Sequence, residues 1–242
     1  MGNKTVNRST GIGFPMFAVA AFLLIAGLTV LAGSVRDGAG AAERSIKTVT
    51  LGGGGSLPDP ACPVNCQVVA SVNGFQTQNP TGGGPFYVPF DGKIKNFRLF
   101  LGKPTSSDRS KLNDRFGGPP QAAVTVLKKV KVNGKEKFRL LRKSPVENLG
   151  SELGTVATFA LSKPLNVRKG NIVALAVPTW APAFAAGLNT GLNRWRASRP
   201  GGKCSVAFVD QASPQLKVDS ERVYGCTFAG SRLLYTVTIT SG

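Results

Sequence analysis

The residues best suited to chemistry are few, and none is a conventional catalyst. Trp180 in PTWAPAF and Trp195 in NRWRASR are the two tryptophans of the chain, and Asn193, Arg194 and Arg196 surround the second. A flat ring with amide and guanidinium donors beside it can stack on a sugar and hydrogen-bond its hydroxyls, which makes these five residues the candidate ligand set. A core-closing role competes with that reading. Ala181, Ala183, Ala185 and Ala186 are apolar neighbours, and Pro178 and Pro182 stiffen the segment. PTWAPAF therefore reads as the stiff end of a buried strand folded over a core. Trp195, between two arginines, reads as the better surface contact.

A second constellation is electrostatic. LKKVKVNGKEKFRLLRK carries Lys128, Lys129, Lys131, Lys135, Lys137, Arg139, Arg142 and Lys143 against Glu136 alone. Its cations fall on both faces of two strands, so the pair is expected at an edge or as a protrusion. Edge lysines block strand addition. The same cations also form a candidate patch for polyanions. The whole chain is basic, with 30 Lys and Arg against 12 Asp and Glu, a net charge of +18. Anionic envelope polymers or glycans are the expected partners, with no specific nucleic acid.

Other chemistries are disfavoured by residue type. Histidine is absent, which removes Ser-His-Asp and Cys-His catalysis and the commonest general base. Glycosidase chemistry needs two carboxyls across a cleft. Asp91, Asp108, Asp114, Glu147, Glu152 and Asp210 are scattered and sit in no motif. SSDRSKLNDRFGG interleaves cations with its acids, which disfavours calcium. TGGGP leads into an aromatic strand and not into a helix, so it reads as a loop and not as a phosphate cradle. No cofactor and no metal are expected.

The four cysteines are Cys62, Cys66, Cys204 and Cys226. An even number in an exported chain implies disulfides, with three possible connectivities. Cys62–Cys66 and Cys204–Cys226 are favoured. A turn at Pro63 brings the first pair together. CSVAFV and RVYGCTF, paired antiparallel about Gln215, would set Cys204 opposite Cys226 and Val206 opposite Tyr224. A four-cysteine zinc site is disfavoured by the spacing.

These groups need elements to hold them. From Cys62 onward the chain is a series of short apolar runs between Gly, Pro and Asn: QVVASV, FYVPF, KIKNFRLFL, AAVTVLKKVKV, KFRLLRK, TVATFAL, NIVALAV and RLLYTVTIT. Asn133-Gly134 between two such runs signals a two-residue hairpin. In RLLYTVTIT, Leu233, Tyr235, Val237 and Ile239 alternate with Thr236, Thr238 and Thr240, the period-two pattern of a half-buried strand. One short helix is expected around SDRSKLNDRF, capped by Ser107 or Asp108. The fold class is all-β, an antiparallel β-sandwich with jelly-roll topology preferred.

The amino terminus sets the address. Lys4 and Arg8 precede a stretch without charge from Gly11 to Val35. Basic residues before an apolar run place the start inside and the remainder outside. The run exceeds the usual signal-peptide core and approaches a bilayer span. Residues 1–35 are thus a signal peptide or a single-pass membrane anchor, with cleavage candidates at Val30-Leu31-Ala32 and Ala39-Gly40-Ala41. If uncleaved, residues 11–35 would sit in the membrane. Residues 36–61, rich in Gly, Ser and Pro, read as a flexible tether, and residues 62–242 as the β-sandwich domain. The product is expected to be secreted or held at the outer face of the cytoplasmic membrane.

FALSKPLNVRKGNIVALAVPTW resembles the strand–turn–strand phrasing of extracellular bacterial jelly-roll modules, in which a "pl-V-kG" turn precedes an apolar strand. Over residues 85–200 the chain is similar to uncharacterised exported bacterial β-sandwich proteins. That resemblance implies a fold and carries no catalytic motif. The expected function is a non-enzymatic cell-surface or cell-envelope protein with a structural or binding role. A carbohydrate-binding module using the tryptophans is the alternative, and a hydrolase of wall polymers the weaker one.

Overall fold

Alternating apolar and polar residues build about half of the described residues into antiparallel ladders. The computed structural model describes residues 45–53, 56–205 and 212–242. Among them run β1 (Thr48–Leu51), β2 (Val69–Asn79), β3 (Gly82–Gly83), β4 (Gly92–Phe100), α1 (Ser106–Phe116), β5 (Gln121–Val132), β6 (Lys135–Lys143), β7 (Glu147–Asn148) and β8 (Val156–Val167). They are followed by β9 (Ile172–Ala181), β10 (Phe184–Ala185), β11 (Arg194–Ala197), β12 (Glu221–Arg222), β13 (Cys226–Ala229), β14 (Arg232–Leu233) and β15 (Tyr235–Ser241). One sheet has the order β1-β15-β4-β8. The larger sheet runs β12-β6-β5-β9-β2-β11-β13, with β3 on β2 and β7 on β5, and β10 and β14 pair separately.

Both sheets contribute to one core. Tyr235, Val237 and Ile239 of β15 and Ile94, Phe97 and Leu99 of β4 join Val124, Val126, Val173, Leu175 and Val177 of the larger sheet. Ile94 and Phe97 are three apart, which a flat strand would send to opposite faces. Against β15 the partners of Ile94 and Asn96 are the adjacent Ile239 and Thr238, so Lys95 is the extra residue and both apolar side chains face inward.

The larger sheet is covered on its second face too. Phe75, Leu127, Phe138, Leu140, Ile172, Ala174 and Tyr224 form a separate apolar cluster. Phe75 on β2 and Phe138 on β6 have ring centroids 5.5 Å apart, although β9 and β5 lie between their strands. A flat sheet would hold strands three places apart at about 14 Å. The sheet is therefore curled into a half-barrel around this cluster. β9 is the strand shared by both cores, which explains the unbroken apolar run NIVALAV: Val173, Leu175 and Val177 face one core, Ile172 and Ala174 the other.

A buried polar network seals the concave side. Asn73 donates to Thr125 Oγ1 at 3.2 Å and to the Gln215 carbonyl at 3.1 Å, and its Oδ1 accepts from the Gln215 N–H at 2.6 Å. Gln215 in turn donates to the Phe138 carbonyl at 3.1 Å and accepts from the Tyr224 hydroxyl at 3.1 Å. Burial pushes the Tyr224 phenol well above its ordinary range, so it stays a neutral donor.

Several expectations change. Residues 36–61 are not tether throughout: β1 pairs with β15 from Thr48↔Thr240 to Leu51↔Val237, and Leu51 is buried. Thr-Val-Thr-Leu alternates well enough to extend the sheet, so the folded unit, Arg44–Gly242, starts before Cys62. The helix is capped by Thr105, whose Oγ1 accepts from the Asp108 N–H at 3.1 Å and donates to Asp108 Oδ2 at 2.7 Å. Asp108 is thus the reciprocating partner and not the cap. The Asn133-Gly134 turn forms as expected, both residues taking positive φ (50° and 74°).

Both disulfides join the favoured partners, Cys62 to Cys66 and Cys204 to Cys226. Disulfides belong to an oxidising environment. The second does not close the expected hairpin. Cys226 pairs in the ladder with Ala197 of β11, and Cys204 reaches it from the loop beyond β11. Residues 206–209 of CSVAFV lie outside the described residues, as do Asp210, the segment 1–35 and its anchor or signal assignment. No helix among the described residues is long and apolar enough to cross a membrane.

Candidate functional site

The two tryptophans, the residue type best suited to a stacking platform, are both buried. Trp180 ends β9 with no exposed surface, and its indole N–H donates to Asn113 Oδ1 at 3.0 Å and the Gly118 carbonyl at 3.1 Å. It fastens the end of α1 to the core. Trp195 is 6 % exposed. Its N–H donates to Ser231 Oγ at 2.9 Å, its ring stacks on Phe228 at 4.7 Å, and Phe184 meets it edge-on at 6.2 Å. The expectation of Trp195 as an exposed contact is thereby corrected. The reason is strand geometry: successive side chains point to opposite faces. Arg194 and Arg196 flank Trp195 in sequence and so face away from it. Asn193 is also buried, donating to the Asn189 carbonyl at 3.2 Å. Arg196 is committed elsewhere, to Glu136 at 2.6 Å, to the Tyr224 carbonyl at 2.8 Å and over the Phe138 ring at 5.3 Å. The five residues do not assemble an open aromatic platform.

The basic hairpin is distributed differently from its sequence. β5 pairs with β9 only as far as Leu127↔Ile172, so Lys128, Lys129 and Lys131 continue beyond the sheet with Lys135 and Lys137 on the returning strand. Lys129 is paired with Glu136, and Arg139 with Glu221 at 2.6 Å. The Lys129 and Arg196 donors hold the Glu136 carboxyl below its ordinary range. Lys143 is exposed at the end of β6.

Arg142 and Lys128 instead join cations that the sequence reading passed over. Two depressions, of about 430 and 380 Å³, both have Arg142 and Arg168 in their walls. Lys93 and Asn166 complete the first, and Lys128, Lys169 and Asn171 the second. Lys93 sits opposite Asn166 in the β4–β8 ladder. Arg168 and Lys169 occupy the β8–β9 turn, closed by Gly170 at φ 83°. Asn171 shapes that turn by accepting from the Arg168 N–H at 2.9 Å. The cleft thus opens at one end of the paired sheets, between the β5–β6 hairpin and the β8–β9 turn.

Its field is positive. Lys93, Lys128, Arg142, Arg168 and Lys169 are exposed, and none forms an ion pair among the described residues. Asp91 is the acid in the wall, and its Oδ1 accepts from the Lys169 backbone N–H at 2.7 Å. Five cations from four elements can hold several anionic groups of one extended ligand. The signal for Arg168 and Lys169 was present in NVRKGN, a turn with two adjacent cations. Their meeting with Arg142 was not, because it depends on how the two sheets face each other. Searches of protein-family models, curated proteins and solved structures found no match to this chain.

Proposed function

We propose that the chain is a non-enzymatic exported protein of the cell envelope whose β-sandwich binds an anionic polymer at this end cleft. The strand order supports a jelly roll. Counting the eight principal strands in sequence, first-eighth-third-sixth (β1-β15-β4-β8) faces second-seventh-fourth-fifth (β2-β9-β5-β6), the arrangement of two interleaved Greek keys. The disulfides support an extracytoplasmic location.

The observation that carries the binding function is the convergence of Arg142 and Arg168 on two adjoining depressions, with three further cations that form no ion pair among the described residues. Unpaired, exposed cations in a concave wall keep their charge available to a ligand and focus the field. Acidic glycans and acidic wall polymers have the required repeating charge.

The test is salt elution from immobilised heparin. The double variant Arg142→Glu/Arg168→Glu should elute at clearly lower salt than the double variant Lys131→Glu/Lys135→Glu, which carries the same net charge at the hairpin tip. Equal losses would reduce the effect to net charge and overturn the cleft.

A further inference from the structure

Arg199 is a buried cation without an anion. It follows β11, is 8 % exposed, and no carboxylate reaches it among the described residues. Its Nη2 donates to the Ala70 carbonyl at 3.3 Å, while Nε is buried and has no partner. Its backbone is held on both sides: its N–H donates to the Ala197 carbonyl and its carbonyl accepts from Gly225, each at 2.7 Å. A guanidinium loses hydration on burial and is stabilised again only by an acceptor, best by a bidentate carboxylate.

The place where such an acceptor would enter is visible. Arg199 borders a groove of about 440 Å³ whose wall includes Val68, Leu112, Phe116, Phe184, Trp195 and Phe228. It also borders a smaller depression of about 190 Å³ with Lys203 and Arg222. Among the described residues neither wall contains an acid. An apolar trough bordered by a guanidinium whose Nε has no partner among the described residues matches one ligand class, a molecule with an apolar body and an anionic head.

We propose that this groove binds an amphiphilic carboxylate, its body against the Trp195–Phe228 stack and its carboxylate on Arg199. This site is separate from the basic cleft and from the function proposed for it. Polymer binding needs many exposed charges, whereas this groove offers apolar area, one buried guanidinium and the exposed Arg115 in its wall.

Octanoate and octanol are the probes, compared by titration calorimetry on the full folded unit. Octanoate should bind the wild type at least about tenfold more tightly than octanol, the range of a hydrogen bond to a charged group. Arg199→Met retains an apolar stem and should erase that preference. Val68→Trp leaves Arg199 in place but fills the groove, and should abolish binding of both probes. Arg142→Glu/Arg168→Glu should leave octanoate binding unchanged, which keeps the two sites distinguishable. Equal affinity for octanoate and octanol in the wild type would overturn the proposal. So would a preference that survives Arg199→Met, or binding unaffected by Val68→Trp.

Discussion

Arg196 on β11 and Glu136 on β6 meet at 2.6 Å across sixty positions of sequence. Their strands lie toward opposite sides of the larger sheet, so the pair bridges the curl above the Phe75–Phe138–Tyr224 cluster. Lys129 shares the same carboxylate. Glu136→Gln should therefore lower stability at pH 7, by about 0.2–1 kcal/mol for each partly exposed pair. Because the folded-state pKa of Glu136 lies below its ordinary value of 4.5, its contribution is present above that value. It is lost as pH falls through the folded-state pKa. Urea unfolding at pH 7 and pH 3 should show a gap between wild type and variant that is smaller at the second.

Trp180→Ala should cost about 3–5 kcal/mol, the usual range for emptying a buried aromatic site. Trp180→Phe should cost less, but still orphans Asn113 Oδ1 and the Gly118 carbonyl as acceptors of the indole N–H. Urea midpoints rank the three proteins, and an unchanged midpoint for Trp180→Ala would contradict the core-closing role.

Gly74→Ala should disturb Trp195 directly. A Cβ at Gly74 would lie 2.8 Å from the Trp195 ring and 2.9 Å from Leu233 Cδ1, closer than packed carbons approach. The expected outcome is a destabilisation of about 1–3 kcal/mol together with a shifted tryptophan emission.

Asn73→Ala removes the residue that satisfies Gln215 on both sides of its backbone. A buried donor or acceptor left unpaired costs about 1–3 kcal/mol. Hydrogen exchange at the Gln215 amide should speed up more than exchange in β4 or β15. Uniform acceleration would mean that the network does not hold this segment separately.

Replacing Cys204 and Cys226 by serine should destabilise the fold by about 3 kcal/mol, as expected when a loop of this size is opened. The two residues are 22 positions apart. The comparison is thermal unfolding of the variant against the oxidised wild type.

Cleft binding should be strongly salt dependent. For a polyphosphate probe, Arg142→Ala and Arg168→Ala should each reduce the slope of log affinity against log salt by about one. Lys129→Ala, a cation already paired with Glu136, should reduce it less.

Local patterns were legible where one strand and its turn decide the outcome. The Asn133-Gly134 hairpin needs only two residues tolerant of positive φ, and the inward face of β15 needs only alternation. The short helix was visible, but its cap was misplaced by two or three residues because Thr105 and Asp108 serve each other. β1 was hidden in a glycine-rich stretch, since its four residues form a strand only when β15 is beside them. The cysteine partners were readable from spacing, whereas the strand opposite Cys226 was not, because β11 comes from elsewhere in the chain.

The sequence by itself determined a basic, histidine-free, disulfide-bonded antiparallel β chain, because residue type and period-two patterning are local properties. Only the tertiary structure decided which side chains face water and which meet. It turned Trp195 inward and its two arginines away, since that face depends on which strands flank β11. It also gathered Arg142 with Arg168 and left Arg199 buried without a carboxylate among the described residues. Charge positions are written residue by residue, but their distances depend on sheet curl and sheet packing, which no single segment encodes.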